Sequence, residues 1–304
     1  MKGRYLLIIA LLLLCGCQDA DAKKVTSAKE NEKVLTIKNE VLKNDQNFKN
    51  NQNGKNNLLL LMANSVDYYN YVNGSMVLTM DYQGQMQQIK YDFQINVPDY
   101  HSFIYQVSST GFNEQCFFRD SEKMYFYNGN IDDLKNNDLS ELIKEKKMIV
   151  EQVSANNNLF KYQSLSLQER IDNFSSTRVA NDLYGDVAPY VFPEEIALYQ
   201  LGMKYDNYDI KDNTDFLDRE VFVVEGTIDD TVYNKGTISL FVDKQTGILL
   251  KYEYKTDVST VTMEMEQIAI DQDDQDDFYL EYIKNKKIKK IVKNTCIIPW
   301  IMLL

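Results

Sequence analysis

Ile89-Lys90-Tyr91-Asp92-Phe93-Gln94-Ile95-Asn96-Val97 alternates apolar and polar residues without a break. Successive side chains of a strand point to opposite faces, so this stretch carries one apolar face and one wet face. Such a pattern belongs to an antiparallel sheet packed on one side. It is the cleanest strand signal in the chain, and its neighbours repeat it. Upstream, Met76, Leu78, Met80 and Tyr82 share a face, and Gln83-Gly84 is placed to turn the first strand into the second. Downstream, Pro98-Asp99 turns the chain, and His101, Phe103, Tyr105 and Val107 continue the alternation.

Further from this centre the pattern predicts the remaining elements. Leu58 to Val72 reads as a helix ended by Asn73-Gly74. Gln115 to Phe118 and Lys123 to Tyr127 read as a strand pair closed by Asn128-Gly129. Asp138 to Gln152 reads as a helix with Leu139, Leu142 and Ile143 on one side. Leu159 to Leu167 reads as a strand, and 168–201 as short helices and loops around Pro189 and Pro193. Pro193-Glu194-Glu195 suits a helix start, with proline and acids in the first turn. Strands resume at Glu220 to Ile228, Gly236 to Val242, Ile248 to Lys255 and Val258 to Ile270. The tight connection Asp243-Lys244-Gln245-Thr246-Gly247 joins two of them.

The beginning of the chain speaks about place rather than fold. Lys2 and Arg4, the apolar run Leu6 to Leu14, and Leu14-Cys15-Gly16-Cys17 are the parts of an export signal ending in a cysteine. They resemble the bacterial lipobox, which implies that Cys17 becomes the lipidated first residue of the mature protein, carrying acyl chains such as palmitate. The apolar run is too short for a spanning helix, which needs roughly 20 residues. Residues 1–16 are therefore expected to be a lipoprotein signal peptide. Residues 17–57, rich in Asn, Lys, Glu and Asp, are expected to be a flexible tether. A coil of about 40 residues spans on the order of 35 Å. At the other end, Asp271 to Asp277 is acidic, Lys284 to Lys293 basic, and 296–304 apolar around the single tryptophan, Trp300. Residues 272–304 are read as a poorly ordered tail; a contact of its apolar tip with a membrane interface is the alternative.

Composition excludes several function classes. A formal net charge of −12 opposes nucleic-acid binding, which needs clustered cations, and leaves membrane attachment to the lipid. His101 is the only histidine, which removes Ser-His-Asp and Cys-His nucleophile pairs and histidine-rich zinc sites. The aspartates at 206, 209, 212, 215 and 218 lack the glycine of a calcium loop and read as a solvated edge. No metal and no cofactor is expected. Cys116 and Cys296 remain after processing; the compartment permits a disulfide between them, but nothing in their spacing requires one.

Three segments carry a resemblance to a family. Tyr71-Val72-Asn73-Gly74-Ser75-Met76-Val77-Leu78 is the first. The second runs from Val97-Pro98-Asp99-Tyr100-His101-Ser102-Phe103 to Met124-Tyr125-Phe126-Tyr127. The third, and most specific, runs from Leu217-Asp218-Arg219-Glu220-Val221-Phe222-Val223-Val224-Glu225-Gly226 to Leu240-Phe241-Val242-Asp243-Lys244-Gln245-Thr246-Gly247-Ile248-Leu249-Leu250-Lys251. Together they resemble the superfamily of the outer-membrane lipoprotein carrier LolA and the sigma-factor regulator RseB, over roughly residues 58 to 271. Arg219 and Leu249 depart from the pattern, where glycine with a polar residue and proline are usual. The resemblance implies an α+β, β-rich domain over 58–271: a curled antiparallel sheet forming an unclosed half-barrel covered by helices. In that family the enclosed space takes acyl chains or hydrophobic peptide.

Tyr91, Phe93, Phe103, Tyr105, Leu240 and Met263 are accordingly the candidate lining of an apolar ligand site. The expected protein is a monomeric, non-enzymatic lipoprotein on the extracytoplasmic face of the cell membrane, holding a lipid, lipopeptide or other hydrophobic ligand. An envelope interaction or stress-sensing module without a small ligand is the alternative.

Overall fold

A computed structural model describes residues 48–98, 101–109, 114–120, 122–137, 139–152, 165–172, 177–179, 185–203, 207–230 and 234–272. Cys17, Cys296, the tether before residue 48 and the tail beyond 272 lie outside them.

The first helix, α1, is Gln52–Ala63. The Asn51 side chain accepts the Gly54 N–H at its start, at 3.0 Å, and the helix stops at Asn64. The helix therefore lies earlier than its apolar spacing suggested, and 71–72 belong to a strand. Asn73-Gly74 is not a helix stop. Gly74 sits inside a strand, where a Cβ would lie 2.3 Å from the Gln267 carbonyl oxygen. Packing against a neighbouring strand, rather than a turn, explains this glycine. Ordered structure also begins before residue 58: the Phe48 ring stacks on Phe222 with centroids 4.5 Å apart.

Twelve strands follow, all antiparallel: β1 Tyr71–Tyr82, β2 Gln85–Asn96, β3 His101–Ser108, β4 Glu114–Arg119, β5 Lys123–Asn128, β6 Met148–Gln152, β7 Tyr208–Ile210, β8 Thr214–Phe216, β9 Arg219–Asp230, β10 Asn234–Asp243, β11 Leu249–Lys255 and β12 Ser259–Ile270. They form one sheet in the order β6-β5-β4-β3-β2-β1-β12-β11-β10-β9-β7, with β8 also on β9. The sheet is two meanders joined where β1 lies against β12. Its two end strands do not meet, so the sheet is unclosed, as the half-barrel expected from sequence requires.

Local chemistry explains the connections. Gln83 and Gly84 both have positive φ, and the Asp81 side chain accepts the Gly84 N–H at 2.8 Å, closing the β1–β2 hairpin. Between β10 and β11, Asp243 Oδ1 accepts from the Thr246 N–H at 2.8 Å and the Thr246 hydroxyl at 2.6 Å. Arg219 Nε donates to Asp243 Oδ2 at 2.6 Å. The arginine that departs from the family pattern thus braces the turn that fits it best. Gly247 follows with φ +75°, and a Cβ there would come 2.5 Å from the Leu61 carbonyl oxygen of α1.

The segment 138–152 departs from its predicted helix. Two short helices, α2 Ile131–Asn136 and α3 Leu139–Lys144, end at Lys146, whose φ is positive, and β6 takes up 148–152. The β4–β5 turn lies at 120–122, so Asn128-Gly129 leads instead into α2. The long connection from β6 to β7 carries α4 Leu167–Ile171, α5 Ala188–Val191 and a π-helix, Ile196–Leu201. Leu167 thus opens a helix, and the expected strand over 159–164 falls outside the described residues. Ser166 and Glu169 form a reciprocal capping box at the start of α4.

Candidate functional site

Register decides which side chains share a face, because paired residues of an antiparallel ladder point the same way. Tyr91 is opposite Met76, Phe93 opposite Gly74 and Ile89 opposite Leu78. Across β1, Met76 is opposite Met265 and Leu78 opposite Met263. Met263 faces Tyr252, Tyr252 faces Leu240, and Leu240 faces Val224. A bulge at Ser75/Met76 absorbs one residue of β12 and keeps this apolar row continuous. Tyr91, Phe93, Leu240 and Met263 therefore lie on one face, as the candidate lining requires.

Phe103 and Tyr105 do not join them. Phe103 pairs with Gln94 and Tyr105 with Asp92, both on the opposite face of β2. There they belong to a second core with Cys116, Phe118, Tyr125, Tyr127, Leu134, Leu142 and Met148, under α2 and α3. The Phe118 and Tyr125 rings stack at 4.7 Å. Burial, with a smaller push from Glu114, raises the Cys116 thiol to about 12, so it is an inert packing residue. The half-barrel is thus covered on different faces at its two ends.

The larger face is covered by α1 and by residues 185–203. Two tyrosines tie the sheet to this cover. Tyr91 Oη donates to Asp186 at 2.7 Å, and Tyr252 Oη donates to Gln200 Oε1 at 3.3 Å. Burial, and then the bond to Asp186, pushes the Tyr91 hydroxyl well above its ordinary value. Burial likewise lifts Tyr252 to about 12. Tyr190 packs on Tyr252 with centroids 5.7 Å apart. Tyr69 Oη donates to the Val191 carbonyl at 2.8 Å, and its ring stacks on Phe192.

A buried charge cluster holds the cover to α1. Arg170 Nη2 meets Glu194 Oε1 at 2.6 Å and donates to the Ala63 carbonyl, while Nη1 donates to Asn64 Oδ1 at 2.8 Å. Arg178 grips both oxygens of Asp67, at 2.6 and 2.7 Å. The second Glu194 oxygen accepts the Arg178 and Val179 N–H groups. Burial raises the Glu194 carboxyl above its ordinary range, outweighing the opposite pull of Arg170. Sequence reading took Glu194 as a first-turn acid and missed this cluster. Its four charged partners are scattered over 67–194, and no spacing rule connects them.

Beneath this cover the four candidate residues on this face are buried. Tyr91 is 1% exposed, Phe93 2%, and Leu240 and Met263 0%. A void large enough for an acyl chain would leave its lining residues accessible, and these four are not. Open space lies elsewhere. A cleft of about 510 Å³ at the β1–β2 end is lined by Met80, Tyr82, Met86 and Val261, beyond the reach of the cover. A groove of about 240 Å³ that opens on the opposite face is lined by Asn73, Ser75, Asp92, Gln94, Gln267 and Ile131, and also borders Gly74 and two of the candidate residues, Phe93 and Phe103. Burial and Glu266 raise the Asp92 carboxyl there, against a smaller pull from Lys90.

Among the described residues, no group of three or more His, Cys, Asp or Glu side chains is placed to hold a metal ion, and no helix is long and apolar enough to cross a membrane. Asp209 is exposed, and hydrogen bonds from Asn50 and then Lys211 hold its carboxyl below its ordinary value.

No protein-family model matches the chain, and no curated protein is similar to it. Solved structures show likenesses of fold. The MucA/MucB complex of Pseudomonas aeruginosa gives 11% identity over 74% of this chain and 59% of that one, with a TM-score of 0.37. LprF from Mycobacterium bovis gives 10% identity over 71% and 93%, also at 0.37. An outer membrane lipoprotein-sorting protein domain from Vibrio parahaemolyticus gives 10% over 75% and 96%, at 0.26. This chain spans about six-tenths of the length of MucB. Likenesses this distant carry no argument about what the chain binds.

Proposed function

We propose that this protein is a lipid-anchored, extracytoplasmic, non-enzymatic module that binds a protein of the cell envelope. The observation that carries the reading is the burial of the apolar face: Tyr91, Phe93, Leu240 and Met263 are all packed under the cover. A filled half-barrel offers its outer surfaces and edges to a partner, and stores no lipid. The anchor rests on Cys17, and the tether after it would let the domain reach a partner about 35 Å from the membrane.

Native mass spectrometry of the full chain purified from membranes tests this reading. The expected spectrum shows the acylated chain with no second, non-covalent lipid. A stoichiometric lipid that survives gentle purification would overturn it. Separately, Cys17→Ser should release the protein from the membrane; unchanged attachment and processing would remove the anchor from the proposal.

A second reading keeps the interior as a binding site. Met76, Met263 and Met265 sit together on the covered face, and methionine repacks around irregular shapes. A hydrophobic ligand would enter only if the cover lifted, breaking the Tyr91–Asp186 and Tyr252–Gln200 bonds.

A further inference from the structure

β6 ends the sheet. It pairs with β5 on one side and, among the described residues, with no strand on the other. An open strand edge presents a row of unpaired N–H and C=O groups, which proteins usually blunt with a charge, a proline or a bulge inside the strand. Met148, Ile149 and Val150 carry none of these, and the single charge inside the strand is Glu151 near its end. Ile149 is 54% exposed and Val150 36%. Behind Ile149 on the same face comes Phe126, and behind that Phe117, the two rings meeting edge to face at 5.4 Å. Both rings are only half-buried, so an apolar strip runs outward across β4 and β5 to this edge.

The edge sequence is also its own complement. β6 and the residue just before it, Lys147, whose N–H closes the preceding turn on the Leu142 carbonyl, can be laid antiparallel on a second copy about a two-fold axis through Ile149. Ile149 then faces Ile149, Met148 faces Val150, and Lys147 faces Glu151 at both ends. Shifting the axis to Val150 would set Ile149 against Glu151 and lose both charge pairs. Hydrophobic pattern and charge thus select one register. Lys147 is within 2.8 Å of Glu145, but both side chains are mostly exposed, and a solvated pair of this kind is exchanged at little cost.

We propose that a second copy of this chain docks on β6, strand to strand, and continues the sheet across a two-fold axis. This proposal stands against the monomer expected from sequence. It is independent of what the protein binds, because it concerns only this edge. The contact is a short strand pair with an apolar strip on one side, smaller than a standard interface, so a concentration-dependent dimer is expected.

Sedimentation velocity of the full chain in detergent, over a concentration series, tests the proposal. The wild-type mass should rise from one protomer to two. Lys147→Glu sets Glu against Glu at both ends of the pair, and Glu151→Lys sets Lys against Lys. Each single change should move the dimer midpoint to concentrations about tenfold higher. Combining the two restores opposite charges and should restore the wild-type midpoint, which a merely damaged fold would not do. A wild-type mass of one protomer throughout would overturn the pairing. So would single variants that dimerise like wild type, or a combined variant that stays monomeric while its circular dichroism is unchanged.

Discussion

Glu194→Ala should be the most damaging single truncation of an acid in the described fold. Glu194 is almost fully buried, and its two oxygens accept from Arg170 Nη2 at 2.6 Å, from the Arg178 N–H at 2.6 Å and from the Val179 N–H at 3.3 Å. Removing the carboxylate leaves the Arg170 guanidinium buried beside Asn64 and Ala63, with its charge unmatched. Breaking a buried ion pair from one side costs about 3–5 kcal/mol. The two hydrogen bonds that Arg170 keeps argue for the lower end, about 3 kcal/mol. Against a total stability of about 5–15 kcal/mol, this is a large fraction. In urea it corresponds to a midpoint lower by about 1 M or more. Unfolding followed by far-ultraviolet circular dichroism and tyrosine fluorescence would measure it. Adding Arg170→Met to Glu194→Ala removes the unmatched charge and should recover part of the loss. A cost below about 1 kcal/mol, or a double variant as unstable as the two losses added, would refute the account of a coupled buried cluster. The pH dependence follows from the raised carboxyl. The folded protein holds this proton more tightly than the unfolded chain, whose ordinary value is 4.5. The stability linked to it is complete below that value and is lost as pH rises through the folded-state pKa. Glu194→Gln should flatten that part of the stability–pH curve.

Three further outcomes test other parts of the fold. Gly247→Ala places a Cβ 2.5 Å from the Leu61 carbonyl oxygen, at φ +75°, and should cost about 1–3 kcal/mol in thermal or urea unfolding; a neutral effect would show that the turn does not rest on α1. Tyr91→Phe leaves Asp186 without its donor and should cost about 1 kcal/mol, with a matching rise in hydrogen exchange over 185–203; unchanged exchange there would separate Tyr91 from the cover. A thiol reagent should leave Cys116 unmodified in the folded protein and label it on unfolding; rapid labelling of the native state would contradict its burial and raised pKa.

The strand framework was legible because period-two alternation is a local property. Ile89 to Val97 and the Asp243 to Gly247 turn both appear where the sequence placed them, inside or beside β2 and between β10 and β11. What alternation does not contain is the relation between strands. Phe103 looked equivalent to Phe93 within its own strand, yet pairing with Gln94 turns it to the other face. Only the register of β3 on β2 decides this. The helices were displaced for a similar reason. The end of α1 is fixed at Asn64, and 71–72 extend because β12 offers them a ladder distant in sequence. β6 was hidden because Met148 to Val150 follow Leu142 and Ile143 closely enough to read as one continuing helix; the charged run Lys144-Glu145-Lys146-Lys147, with positive φ at Lys146, separates the two elements instead. Of the candidate lining, four residues came together; the polar ties to the cover, Asp186, Gln200 and the arginine cluster, arise from contacts between segments that carry no shared pattern.

The pairing of β1 with β12 has a consequence for how the molecule is made. The first and last strands lie side by side at the middle of the sheet, with Val72 next to Ile270. Each meander can form by local hairpins, but the seam between them must wait for the end of the chain. Such a non-local closure is slow, and until it happens two long strand edges stand open. A chain cut short before Ser259 would therefore lose more than one strand. It would be left as two separate, sticky half-sheets, and the burden of keeping them apart would fall on whatever accompanies the polypeptide before its last strand arrives.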